Sequence, residues 1–216
     1  MKKFLTALSI GLMMSSTSFA AGDITLPTVE VKSKEISVTQ AIQQRKSSRN
    51  FIDKDLTSAQ MSKILWAANG INRDEGKRVN PAAMGVYSVE VYAVTREGIY
   101  LYDADNNKLN LIAKGDYRST TTTGQGFVSK AALNLVYVET PDAWVNARHT
   151  PPPRERQITY ANITVGAMVQ SVALIAETEG LGNCVRGSIN RDEFRKVAKL
   201  ADDKNILLAQ SVGFIK

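Results

Sequence analysis

The longest helical pattern in this chain, from Gln157 to Glu179, constrains its fold more than any other feature. Apolar residues occur on more than one side of this pattern, which ends before Gly180. A helix that is apolar around most of its circumference is buried in a large core or in a subunit interface. A membrane span is disfavoured by three polar residues within the helix: Asn162, Gln170 and Ser171. The sequence therefore predicts a long central helix that is covered from several sides.

Shorter helices and strands are predicted around this helix. Two capping boxes, Ser37 with Gln40 and Thr57 with Gln60, mark helix starts. Three prolines favour an extended loop over residues 149–156. β-Branched and aromatic residues predict strands or a hairpin at 87–94, 98–113, 132–140, 183–187 and 205–214. We expect an α+β fold with a mostly antiparallel central sheet flanked by helices.

The first 20 residues have the pattern of a secretory signal peptide. Two lysines precede a short apolar run, and Ser18-Phe19-Ala20 fits a cleavage site after Ala20. The apolar run is too short to cross a bilayer. We therefore expect Sec-type export to the periplasm or the medium, without stable membrane insertion after cleavage. Residues 21–36 predict an extended arm, which leaves residues 37–216 as one domain.

Cysteine and histidine are too scarce for several kinds of site. The chain has one cysteine, Cys184, and one histidine, His149. We therefore expect no internal disulfide, no metal site and no hydrolytic triad. Removal of Lys2 and Lys3 with the signal peptide lowers the formal charge from +6 to +4. Because charges of both signs are mixed along the chain, nucleic acid is not an expected partner.

A cluster of cations and hydroxyls follows the first predicted helix, in the stretch "QQRKSSRNF". Arginine offers a planar fork to a phosphate, lysine a point charge and serine a short hydroxyl donor. This chemistry suits a phosphate or flavin site at Arg45, Lys46, Ser47 and Arg49. A solvated helix end is the other interpretation, because cations favour the C-terminal end of a helix dipole. The cluster alone leaves both open. The stretch "TTTGQG" at 121–126 lacks a phosphate-binding pattern and is interpreted as a flexible loop.

Four stretches, taken in order, resemble the motifs of one family. They are "QRKSSRNF", "RVNPAAMGVYSVEVY", the long helix with its Gly-Leu-Gly turn, and "SVGF". This order is similar to that of the nitroreductase family of flavin enzymes, in particular the branch related to thiazoline and oxazoline dehydrogenases. That branch carries Arg-Arg-Ser-x-Arg, Pro-Ser-Ala-Gly, Gln-Asn on the helix, Gly-Leu-Gly and a closing Val-Gly-Tyr. The resemblance covers about residues 37–214.

The resemblance implies an FMN-dependent oxidoreductase that is a homodimer. It implies that FMN binds at the subunit interface and that the long helix is buried between the subunits. The first motif then holds the FMN phosphate, the ribityl chain and the pyrimidine edge, through Arg45, Lys46, Ser47 and Arg49. An arginine near flavin N1 and O2 favours the negative charge of the reduced ring.

The remaining motifs imply further contacts with the flavin. The second motif implies that the flavin is lined by Pro81, Ala82 and Ala83. The turn after the helix implies flavin-facing backbone near N5 and O4, at Arg186 and Gly187. The sequence departs from the motifs where Ser is replaced by Ala82, Gly by Met84 and Asn by Ser171. After the last predicted strand, Lys216 is the basic residue that could clamp the phosphate.

An exported FMN-dependent oxidoreductase is therefore the expected function. Electrons would pass through flavin N5 from a small-molecule donor to a small acceptor, such as a nitroaromatic or a quinone. No residue is assigned to catalysis, because the flavin carries the chemistry. The Lys-Tyr pair of azoline-forming members cannot be placed, which disfavours oxidation of peptide heterocycles. Two alternatives stay open: a non-catalytic periplasmic flavin-binding protein and a flavin-free structural homodimer.

Overall fold

One antiparallel sheet organises the part of the chain that the computed structural model describes, residues 22–31, 35–145 and 147–216. Its seven strands are β1 (Ile24–Thr25), β2 (Val89–Val94), β3 (Gly98–Asp103), β4 (Lys108–Lys114), β5 (Leu133–Glu139), β6 (Gly182–Arg186) and β7 (Asn205–Gly213). They lie in the order β1-β4-β3-β2-β5-β7-β6, and every adjacent pair is antiparallel. The predicted α+β fold with an antiparallel sheet is confirmed.

Four α-helices in the described residues flank the sheet: α1 (Val38–Gln44), α2 (Ser58–Asn69), α3 (Arg154–Thr178) and α4 (Arg191–Val197). Both predicted capping boxes are present at the starts of α1 and α2. The proline loop is shorter than predicted, because α3 begins at Arg154 rather than at Gln157. Proline is tolerated at a helix N-terminus, where its missing N–H has no intrahelical partner, and Pro153 is the N-cap of α3.

The central helix α3 packs against α1, α2, β6 and β7. Its buried side chains include Val165, Met168 and Val172, which belong to the larger of two hydrophobic clusters. The second cluster lies on the opposite face of the sheet, where Phe194 of α4 packs edge-on against Tyr92. Alternate residues of β2 and β5 enter the two clusters, as strand geometry requires.

One side of α3 is open to solvent in the single protomer. Ile163 on that side is 68% accessible. By length and composition alone α3 is apolar enough to cross a membrane, a test that core helices of globular proteins also pass. Its packing against two helices and two strands accounts for the buried part of that apolar surface.

The N-terminal arm lies against the sheet edge and α2. Strand β1 pairs with β4, and the hydroxyl of Ser62 on α2 donates to the carbonyl of Pro27 at 2.6 Å. The arm is therefore held by main-chain pairing and by a side-chain hydrogen bond. The expected signal peptide, residues 1–20, lies outside the described residues, as do residues 21 and 32–34 of the expected arm.

Candidate functional site

The cation segment, which we define as residues 45–49, runs beside the edge strand β6. The N–H of Ser48 donates to the carbonyl of Asn183 at 2.7 Å, and Ser47 forms a parallel bridge with the same residue. Gly182 permits this approach, because a Cβ at that position would lie 2.9 Å from the Cβ of Ser48. The backbone of the predicted phosphate-binding residues is thus fixed against the sheet.

The charged side chains of the cation segment are available to a ligand. Lys46 and Arg49 are exposed and Arg45 is half-buried. Among the described residues, none of the three has an ion pair or a side-chain hydrogen bond. Arg45 is the C-cap of α1, where a cation also favours the helix dipole, whereas Lys46 and Arg49 lie beyond the helix end. The helix end therefore accounts for Arg45 alone, and the binding interpretation also covers Lys46 and Arg49.

Arg49 shares a cavity of about 340 Å³ with two further cations, Lys130 and Lys216. Lys130 ends a short 3₁₀ turn, and Lys216 reaches the cavity because its N–H donates to the carbonyl of Asn50 at 3.1 Å. No acidic side chain is among the residues that line this cavity. Three cationic side chains in a lining without an acidic side chain favour an anionic or electron-rich group.

Two buried polar atoms near the cation segment have no hydrogen-bond partner among the described residues. They are the side-chain amide nitrogen of Asn183 and the side-chain carbonyl oxygen of Gln125. Gln125 directly precedes Gly126, which lines the cavity of Arg49. Buried polar groups in folded proteins are nearly always paired. An unused donor and an unused acceptor are compatible with a polar ligand here, but six further buried atoms in the described residues also have no hydrogen-bond partner, so these two do not by themselves define a site.

The "TTTGQG" stretch is largely irregular and lies beside the end of β6. The N–H of Gln125 donates to the hydroxyl of Thr122 at 3.1 Å, and the hydroxyls of Thr123 and Ser188 contact each other. These contacts fix the loop beside the end of β6. No periodicity or charge in the sequence marks Gln125, and its role depends on a contact across the fold.

Arg186 and Gly187 lie where β6 ends, and only Gly187 is exposed. The Arg186 side chain donates to the carbonyl of Thr121 at 2.6 Å, to the hydroxyl of Ser211 at 3.0 Å and to the amide oxygen of Asn134 at 3.2 Å. Burial lowers the pKa of Arg186 to about 10. Its side chain is not available to a ligand, so the expected contact at this position is left to backbone atoms.

The segment Pro81–Ala83 is anchored to α3 through the residue before it. Asn80 is buried, donates to the carbonyl of Ala68 at 2.8 Å and accepts from the hydroxyl of Ser171 at 2.6 Å. Met84 follows with a left-handed φ of 56°.

A larger cavity of about 430 Å³ lies under the N-terminal arm, away from these groups. Its lining is mainly apolar and includes Trp66, Tyr102 and Ile175. Its one lysine, Lys63, is paired with carboxylates of α3 and of the arm. The lysine of this cavity is therefore compensated by carboxylates, whereas the side chains of Arg45, Lys46 and Arg49 have no ion pair among the described residues.

The described chain is an α+β domain in which an antiparallel sheet packs against a central helix. A cation segment whose charged side chains have no ion pair in that part of the chain lies at the edge of this sheet. This combination defines the class of protein to which the chain is compared. The family model described as the nitroreductase family matches residues 42–214. A nitroreductase homologue of Methanocaldococcus jannaschii is 27% identical over 195 residues, covering 86% of this chain and 94% of the relative.

Solved structures agree with this match. A nitroreductase homologue of Ralstonia eutropha is 30% identical, with a TM-score of 0.81 over 100% of this chain and 96% of that chain. A nitroreductase homologue of Desulfovibrio desulfuricans in complex with FMN is 18% identical, with a TM-score of 0.60 over 84% of this chain and 88% of that chain.

The chain belongs to the nitroreductase family, because the family model covers most of its length. The expected enzyme class, an oxidoreductase of nitroreductase type, is confirmed. The relation to the thiazoline and oxazoline dehydrogenase branch stays a prediction, as do the roles of the individual site residues.

Proposed function

We propose that this protein is an exported, homodimeric, FMN-dependent oxidoreductase. It passes electrons through the flavin from a small-molecule donor to a small acceptor, such as a nitroaromatic or a quinone. The observation that carries the proposal is the cation segment beside β6, whose charged side chains have no ion pair among the described residues and which is bridged to Asn183. The FMN bound to the Desulfovibrio desulfuricans homologue supports the choice of ligand.

The donor set of this chain fits the two chemically different ends of FMN. Arg45, Lys46 and Ser47 offer the charges and the hydroxyl that suit the phosphate and the ribityl chain. Arg49 lines a cavity together with Lys130 and Lys216, which suits the pyrimidine edge. That edge presents both donors and acceptors, and Gln125, directly before the lining residue Gly126, has an unused acceptor. The exposed backbone at Gly187 suits the N5 side.

The chemistry divides between the cofactor and the protein. When bound, FMN supplies two-electron transfer through N5. The protein binds and orients the ring, and the charge of Arg49 favours negative charge at the pyrimidine edge. No side chain of this chain is required to form a covalent bond with the acceptor.

The homodimer explains the open side of α3. Val38 and Ile42 on α1 and Ile163 on α3 are each more than half accessible. These exposed apolar residues lie on two helices that pack against each other. A second copy on this surface would cover them. We infer that Pro81–Ala83, which the motif order places at the flavin, then lies at the flavin site formed between the two protomers.

The compartment restricts the electron donor. The pattern of residues 1–20 supports Sec-type export, and a Sec substrate acquires its cofactor after translocation. The donor and acceptor are then small molecules or reduced carriers outside the cytoplasm. Neither nucleic acid nor stable membrane insertion is part of this proposal.

The absorbance spectrum of the purified mature protein, with and without added FMN, tests the proposal. A flavin spectrum that remains after gel filtration, and that bleaches and returns with a donor and an acceptor, supports an oxidoreductase. A protein that retains FMN but never exchanges electrons supports the non-catalytic flavin-binding alternative. A protein that retains no flavin at any FMN concentration overturns both.

A further inference from the structure

We propose that the buried side chain of Arg186 is a positioning residue that stabilises the negatively charged, reduced form of the bound flavin relative to the neutral, oxidised form. The proposal deepens the FMN function proposed above and rests on it. It concerns the guanidinium charge of Arg186, which faces the protein interior, and not the backbone contact that the motif implies.

The guanidinium of Arg186 is buried without a carboxylate. It is 3% accessible, and all its hydrogen bonds in the described part of the chain go to neutral acceptors, including Thr121, Ser211 and Asn134. Arg118 is the contrasting case, because it is 5% accessible and pairs with Asp116 at 2.7 Å. Burial of an uncompensated charge is costly. A network that satisfies every donor of Arg186 but leaves its charge unbalanced therefore points to a use for the charge.

The position of Arg186 connects the segments that surround the proposed ring site. Its guanidinium holds Thr121, the first residue of the stretch that ends with Gln125 and Gly126. Its backbone continues directly into Gly187 and Ser188, and Ser188 in turn contacts Thr123. Water does not screen a charge in this interior as it screens a surface charge. The positive potential of Arg186 therefore extends to a ligand held between these segments.

Reduction changes the charge that the site must accommodate. Two electrons and one proton added to the neutral oxidised ring leave one negative charge on it. In the redox titration that measures the midpoint potential, dithionite supplies these electrons through a low-potential dye. A fixed positive charge stabilises this product more than the reactant, so it raises the affinity for reduced FMN relative to oxidised FMN.

Two variants remove the unbalanced charge by different routes. Arg186→Gln deletes the guanidinium. Asn134→Asp keeps it and pairs it, because the amide oxygen of Asn134 already lies 3.2 Å from the guanidinium. It also removes the N–H that Asn134 donates to the carbonyl of Val128 at 3.1 Å, so its thermal unfolding is compared with that of the wild type before its potential is interpreted. Arg186→Lys keeps a positive charge but lacks the planar set of guanidinium N–H donors. Arg118→Gln is the matched control, a buried arginine that is already paired.

The measurements are the midpoint potential of bound FMN and the dissociation constant of oxidised FMN, with thermal unfolding as a check on the fold. We expect the preference for reduced over oxidised FMN to fall about tenfold in Arg186→Gln and Asn134→Asp, which lowers the potential by about 30 mV for a two-electron couple. Arg186→Lys should retain most of the wild-type potential. Arg118→Gln should lose thermal stability without a shift in potential.

The outcomes separate this inference from the proposed function. A wild-type potential in Asn134→Asp, or equal shifts in Arg186→Gln and Arg118→Gln, overturns the role of the charge and leaves FMN binding intact. If Arg186→Gln does not fold, Asn134→Asp decides alone, because it retains the arginine. A wild-type protein that binds no FMN overturns the proposed function, and this inference with it.

Discussion

The backbone N–H of Ser48 lies 2.7 Å from the carbonyl oxygen of Asn183, so main-chain atoms hold the cation segment to β6. The side chains of Arg45, Lys46 and Arg49 take no part in this anchoring, since they have no partner in the described part of the chain. Substitution of these side chains should therefore alter a ligand's affinity or properties while leaving the fold intact. This separation makes the cation segment a suitable place for functional tests.

The phosphate role of the segment predicts a preference for FMN over riboflavin. Charge-assisted hydrogen bonds contribute about 1.5–3 kcal/mol each, and about 1.4 kcal/mol is a tenfold change in affinity. Arg45→Met should therefore weaken FMN binding at least about tenfold and should leave riboflavin binding nearly unchanged. Quenching of flavin fluorescence measures both affinities.

Lys77→Met is the control for the loss of one positive charge, because Lys77 is exposed and its nearest acidic partner is Glu75. It should bind FMN as the wild type does. Equal affinities of the wild-type protein for FMN and riboflavin would remove the phosphate role from Arg45, Lys46 and Ser47.

The open side of α3 predicts a dimer that one charge can disrupt. Ile163→Asp should retain the protomer fold, because Ile163 is 68% accessible there, but it buries an unpaired carboxylate when two copies associate. Such a charge costs several kcal/mol, so dissociation should become at least about a hundredfold easier. Analytical ultracentrifugation at micromolar concentration measures the change.

Val31→Asp is the matched control, because Val31 is an exposed apolar residue on the N-terminal arm. It should sediment as the wild type does. Val169 is a poorer choice than Ile163 for this test, since it packs against the core of its own protomer and a charge there would also destabilise the fold. A wild-type protein that sediments as a monomer contradicts the dimer.

The fold was largely predictable from local patterns in the sequence. The capping boxes at Ser37 and Thr57 depend on residues three apart, and strand alternation is equally local, so the sequence predicted both helix starts and the strands correctly. The predicted start of α3 was wrong, because Pro153 can either end an extended loop or cap a helix. Only the packing of α3 in the core decides between the two.

The candidate site was predictable only where a motif marks it. The cation segment stands out by charge, but Gln125 lies in a stretch without charge or period, and its unused oxygen becomes apparent only in the folded chain. The sequence likewise gives no direction for the Arg186 side chain. Its partners Thr121, Asn134 and Ser211 come from distant parts of the chain, and such contacts cannot be read from spacing.

Met84 occupies the motif position where the family has glycine, and it has the left-handed φ of 56° that favours glycine. A side chain in this conformation costs roughly 1 kcal/mol. Met84→Gly should therefore raise the free energy of unfolding by about 0.5–1 kcal/mol, since Met84 is partly exposed and loses little buried area. Urea denaturation measures the change.

Ala83→Gly is the control for the added backbone freedom of glycine, because Ala83 has no positive φ. It should lower the free energy of unfolding by roughly 0.5–1 kcal/mol. If both glycine variants destabilise the protein equally, the left-handed conformation of Met84 is not a source of strain.

Arg49 and Arg45 should contact opposite ends of the flavin and therefore change different properties of it. Arg49 lines the cavity proposed for the pyrimidine edge, so its charge should favour the anionic reduced ring, whereas Arg45 sits where α1 ends. A charge near 4 Å at an effective dielectric of 20 contributes about 4 kcal/mol. Solvent access should reduce this to roughly 1–2 kcal/mol, which is on the order of 20–40 mV for a two-electron couple.

Arg49→Met should therefore lower the midpoint potential of bound FMN by that amount, and Arg45→Met should weaken FMN binding with little change in potential. A dye-linked redox titration of both variants, together with their FMN affinities, makes the comparison. If Arg45→Met shifts the potential and Arg49→Met does not, the two arginines face the opposite ends of the flavin from those assigned here. If neither substitution changes binding or potential, the cation segment is a solvated surface after α1, and FMN binds elsewhere or not at all.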